Sequence, residues 1–134
     1  MKKLTKNVIV GLCLLGVSLS CSKSADPAPT VGCNVTFKGI KVTLLDLICG
    51  TSLGNPSVNA TNLPQEQELG LINSDALKSI SFVTSGDPDS YYSSTFVGTA
   101  PTITVSGMTW TFSGTLANST GDPGAITGTC TCAN

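Results

Sequence analysis

Met108-Thr-Trp-Thr-Phe-Ser-Gly-Thr-Leu116 alternates without a break. Met108, Trp110, Phe112, Gly114 and Leu116 fall on one side of an extended chain, and Thr109, Thr111, Ser113 and Thr115 fall on the other. A period of two is the mark of a strand with one buried and one solvated face. Thr102 to Val105 precedes this stretch across the Ser106-Gly107 pair, which predicts a tight hairpin. Asn118-Ser-Thr-Gly-Asp-Pro-Gly124 follows and consists of turn formers. The chain then returns from Ala125 to Cys132 with Ile126, Gly128, Cys130 and Cys132 on one face.

The same period recurs upstream. Ile80 to Thr84 and Tyr91 to Val97 read as a strand pair around the loop 85–90, with Tyr92, Ser94 and Phe96 on one face and Tyr91, Ser93, Thr95 and Val97 on the other. Cys33, Val35 and Phe37 alternate with polar residues and predict another strand. Ile40 to Cys49 fits a helix face as well as a strand, and its β-branched Val42, Thr43 and Ile48 between Gly39 and Gly50 favour the strand. Thr51 to Asn73 reads as irregular chain with one helical turn near Gln65 to Leu69. Ser74 reads as the N-cap of a short helix running to Ile80. The expected fold is all-β, a small antiparallel β-sandwich of about seven strands with long loops, one or two short helical turns and Greek-key connections.

The N-terminus has a different grammar. Lys2, Lys3 and Lys6 precede an apolar run from Val8 to Leu19, and Cys21 follows at once. Twelve helical residues would span roughly 18 Å, short of the ~30 Å hydrocarbon core, so the run predicts a cleaved export signal. Val17-Ser18-Leu19-Ser20-Cys21 resembles a lipobox, and the leader as a whole resembles that of a bacterial lipoprotein, with Ser18 where Leu is commonest. The resemblance implies that Cys21 is lipidated and becomes the new N-terminus. The rival is cleavage at Ser18-Leu19-Ser20 by an ordinary signal peptidase. Residues 1–20 are then a signal peptide, 21–30 the lipidated cysteine and a Pro-containing tether, and 31–134 a single β-rich domain. Ser22 is not the Asp that retains lipoproteins in the inner membrane of enteric bacteria, so the resemblance points to the outer membrane, facing the periplasm or the surface.

Charge and cysteine content narrow the partners. The leader removes three of seven lysines and no acid, leaving four lysines against eight carboxylates, and the chain has neither Arg nor His. A basic stripe for nucleic acid is absent, so the expected membrane link is the acyl chains. With Cys13 lost and Cys21 lipidated, Cys33, Cys49, Cys130 and Cys132 form an even set for disulfides. Cys130 and Cys132 would lie about 6.5 to 7 Å apart on one strand, so each is expected to pair with Cys33 or Cys49; both long-range connectivities remain open. A four-thiolate zinc or Cu(I) site is the functional alternative.

Few residues invite chemistry. Asp87, Asp89 and Asp122 are calcium candidates, but an EF-hand counted from Asp87 places Tyr92 at the glycine and Gly98 at the bidentate Glu, and Asp-Pro is a turn former in its own right. Without His there is no Ser/His or Cys/His catalysis. Ser74 and Lys78 are spaced for a dyad on a helix, and Glu66 and Glu68 sit in a polar stretch. Tyr91 is a candidate surface for a sugar or a partner, whereas Trp110, between Met108 and Phe112, belongs in the core. The expectation is a lipid-anchored exported β-domain with no cofactor and no metal, a non-catalytic binding or structural module of the cell envelope. The alternatives are a small-molecule or carbohydrate-binding accessory lipoprotein or, behind it, a carboxylate-based enzyme.

Overall fold

The computed structural model describes residues 30–85 and 88–134; Cys21, the rest of the leader and tether, and Asp87 lie outside them. Ten strands follow in order: β1 (Gly32–Phe37), β2 (Ile40–Leu44), β3 (Asp46–Ser52), β4 (Asn55–Asn62), β5 (Gln67–Asn73), β6 (Lys78–Val83), β7 (Tyr91–Ser93), β8 (Thr102–Ser106), β9 (Thr109–Ala117) and β10 (Pro123–Thr131). All pairings are antiparallel, as the alternation requires. The strands number ten rather than about seven, and they form one sheet in the order β2-β1-β10-β9-β7-β6-β5-β4-β3, with β8 beside β9.

The sheet closes on itself because its two end strands are neighbours in sequence. Only Leu45 separates β2 from β3, yet β2 pairs with β1 and β3 pairs with β4. One long strand, bent at Leu45, therefore serves both ends of a nearly closed barrel. Two-residue hairpins set the registers on either side of this bend. Lys38 and Gly39 (φ 48° and 80°) and Leu53 and Gly54 (φ 52° and 80°) both take the doubly left-handed conformation whose twist matches the flanking strands.

Inward positions carry the core: Val35, Phe37, Leu44, Val58, Leu69, Leu71, Ile80, Phe82, Trp110, Phe112, Leu116 and Ile126 are buried. Gly128, opposite Phe112 in the ladder, leaves room for that ring, and a Cβ there would also stand 2.6 Å from the Asn34 carbonyl oxygen. Cys33 and Cys130, directly opposite on β1 and β10, form one disulfide with Cα atoms 4.0 Å apart. Cys49 of β3 and Cys132, just past β10, form the second, with Cα atoms 6.1 Å apart. Of the two connectivities open from sequence, this is the one realised.

Three local expectations need correction. Residues 51–73 are not irregular: they hold most of β3's end, β4 and β5, with a 3₁₀ turn only at Leu63–Gln65, where Pro64 occupies the start of the turn. No helix follows Ser74. Its Oγ accepts from the Leu77 N–H at 2.9 Å as a cap would, but backbone pairing of Ser74 N–H with the Leu77 carbonyl at 2.8 Å makes a turn that feeds β6. The alternation from Tyr91 to Val97 also breaks. Ser93 Oγ accepts from the Thr95 N–H at 3.2 Å, and Ser94–Phe96 becomes a 3₁₀ turn after the three residues of β7.

Candidate functional site

The end of the barrel where β1 turns into β2 collects the domain's chemistry. Phe37 closes β1, and its ring meets Phe82 of β6 at 5.3 Å and the edge of Tyr92 of β7 at 4.7 Å between centroids. Lys38, held left-handed in the hairpin, projects across this cluster with Nζ 4.7 Å from the Tyr92 ring centroid. A cation over an aromatic face is attracted by the ring quadrupole. Lys38 Nζ also donates to Tyr92 Oη at 3.2 Å and forms an ion pair with Asp122, and Tyr92 Oη donates to Asp122 Oδ2 at 3.1 Å. Three residues 84 positions apart at the extremes thus form a closed triangle.

Asp122 is delivered by a loop built around Asn118. The buried Asn118 side chain accepts through Oδ1 from the Thr120 and Asp122 N–H groups at 3.2 and 2.8 Å, and from Thr120 Oγ1 at 2.8 Å. Its Nδ2 donates to the Asp89 carbonyl at 3.2 Å, joining this loop to the one before β7. The Lys38 bond holds the Asp122 carboxyl below the ordinary carboxylate range, with the Tyr92 hydroxyl adding to the effect. Lys38 is correspondingly raised above the ordinary lysine value, first by Asp122 and then by Tyr92, with burial opposing. Both groups stay charged across the neutral range.

Beside this triangle opens a notch of about 250 Å³, lined by Phe37, Ile40, Val42 and Phe82 with Lys38, Tyr92, Gln67 and Thr84 as its polar groups. An apolar wall with a few placed polar groups at a barrel mouth is a common form of ligand site. A larger groove of about 390 Å³ lies outside β8, β9 and β10 and is lined by Thr102, Thr104, Thr111, Ser113, Thr127 and Thr129 above Phe112 and Gly128. It offers hydroxyls and no charge, so the notch has the richer chemistry.

The residues singled out from sequence are distributed as follows. Tyr91 is 44% exposed and meets the exposed Phe96 edge-on, with centroids 6.1 Å apart, because the 3₁₀ turn brings Phe96 around to its side of the sheet. Trp110 is in the core. Asp122 is bound by Lys38 and Tyr92, Asp89 stands in the adjoining loop, and Asp87 is outside the described residues. Among the described residues, no three His, Cys, Asp or Glu side chains come together as a metal-ligating group. Ser74 and Lys78 do not share a helix, and the segment Gln67–Asn73 that carries Glu68 is strand β5. The roles that Lys38, Phe96 and Asn118 take here do not follow from the sequence pattern. The Ser93 cap chemistry was a readable signal for Phe96, while Lys38 and Asn118 depend on contacts between distant loops. No protein-family model matches this chain, and neither does any curated protein or solved structure.

Proposed function

We propose that this protein is an exported β-domain, lipid-anchored through Cys21 in the bacterial cell envelope, with the outer membrane favoured by Ser22, and that it works as a non-catalytic binding or structural module. The carrying observation is the state of the charged triangle. Lys38 and Asp122 each fix the other's charge and pin the first hairpin to the loop before β10, so neither is poised near neutrality for proton transfer. What they frame is an apolar notch, which suits binding. The two disulfides agree with export to an oxidising compartment. A second reading, a carbohydrate-binding accessory protein, draws on the exposed Tyr91–Phe96 corner, since rings offered at an angle can stack a sugar. The anchoring is tested by Cys21→Ser. The wild-type protein is expected in the membrane fraction carrying acyl label, and the variant unlabelled and soluble. A soluble wild-type chain with unmodified Cys21 overturns the anchored reading.

A further inference from the structure

Strand β2 has hydrogen-bonding capacity that the fold does not use. It pairs with β1 on one side and, among the described residues, with no strand on the other. The two-residue hairpin makes Phe37 and Ile40 a hydrogen-bonded pair, so bonding alternates along the ladder and Val42 and Leu44 also point their backbone groups at β1. Lys41 and Thr43 then aim N–H and C=O away from the sheet. An open edge of this kind is a template for another extended chain, and natural domains commonly cover or blunt it.

The surroundings of this edge fit such a guest. At its start lies the notch lined by Phe37, Ile40, Val42 and Phe82, and at its end a second depression of about 250 Å³ lined by Thr43, Leu45, Asp46, Thr61, Asn62 and Pro64. The large aliphatic side chains Ile40 and Leu45 stand exposed along this border, at 69% and 66%. Lys41 is exposed on the outer face and pairs with no carboxylate among the described residues, and the stretch from Val31 to Leu45 contains no acid at all. With Lys38 held by Asp122, Lys41 is the cation of this hairpin left without a carboxylate partner among the described residues.

We propose that the free edge of β2 binds a short extended segment of a partner protein by strand addition, with an apolar–acidic–apolar pattern. The acidic residue would lie opposite Lys41 on the outer face, and its two neighbours, pointing the other way, would enter the notch. This deepens the binding-module reading and rests on it, but it does not depend on lipidation, so the Cys21 result leaves it standing or falling separately.

The test is an NMR titration of the purified protein with two acetylated, amidated pentapeptides, Thr-Val-Asp-Val-Thr and Thr-Val-Lys-Val-Thr. The aspartyl peptide is expected to shift the Lys41 and Thr43 amides and to bind about tenfold more tightly than the lysyl peptide. Lys41→Pro removes an N–H that serves no internal bond, so the fold should survive while binding is lost. Lys41→Glu should reverse the preference between the peptides. No shift from the aspartyl peptide at millimolar concentration, or binding indifferent to both substitutions, overturns the proposal. So does a concentration-dependent dimer abolished by Lys41→Pro, which would assign the edge to a second copy of the chain.

Discussion

The two ends of the sheet are treated differently. Strand β3 is tied covalently: Cys49 is bonded to Cys132 just past β10, so this end strand is held to the opposite end of the sheet by a link spanning 83 residues. Strand β2 is held by its pairing with β1, and their hairpin is fixed by the Lys38 side-chain contacts with Tyr92 and Asp122 and by the Lys38 N–H donating to the Ala125 carbonyl at 3.0 Å; its outer edge, beside a notch, pairs with no strand among the described residues. Closing a barrel removes edges, and here each end strand keeps one side unpaired among the described residues, but one end is tied covalently and the other by a reversible polar contact beside the notch. The difference teaches where to look for function, since the end left unsealed is the one with cationic and aromatic side chains around it.

Removing the covalent closure should have the largest effect. The double variant Cys49→Ser, Cys132→Ser avoids a stray thiol and should lower stability by about 2 to 4 kcal/mol, seen as a fall in the denaturant midpoint. A variant as stable as the wild type would mean that the bent strand at Leu45 holds the barrel shut without help.

The polar closure should matter less, and it should be sensitive to pH. Asp122 has a lowered pKa, so its contribution is complete above the ordinary Asp range and is lost as pH falls through the lowered value. Lys38 has a raised pKa, so its contribution is complete below the ordinary lysine value and is lost as pH rises through the raised one. The stability difference between wild type and Asp122→Asn should therefore be flat between these limits, shrink at both ends, and stay below that of the disulfide variant because the pair is partly exposed. Thermal melts of both proteins from acid to alkaline pH measure it. A difference that grows in acid would contradict the pairing.

The same two regions explain what could be read in advance. Strands β9 and β10 were legible because their inward positions hold Trp110, Phe112, Leu116 and Ile126 against threonines, a contrast strong enough to survive without context. Strands β4 and β5 were not. In Asn55–Asn62 the inward side chains are small, chiefly Val58 and Ala60, and in Gln67–Asn73 the alternating Leu69 and Leu71 stand beside Gln67 and Glu68, which favour helices. Pairing on both sides overrides that local preference. Ser74 kept its hydrogen-bonding habit while the chain around it made a turn instead of a helix. The disulfide cysteines were legible as a set, but which bonds with which is decided by Cys33 facing Cys130 across the ladder. The triangle of Lys38, Tyr92 and Asp122 left no local trace because each member lies on a different turn or strand.

Hydrogen exchange along β2 tests the open edge most directly. If the edge is free, protection in the isolated protein must alternate, with the Lys41 and Thr43 amides exchanging quickly and those of Val42 and Leu44, bonded to β1, exchanging slowly. Slow exchange at all four amides would contradict the account, because it would show that another segment or another molecule already covers the edge.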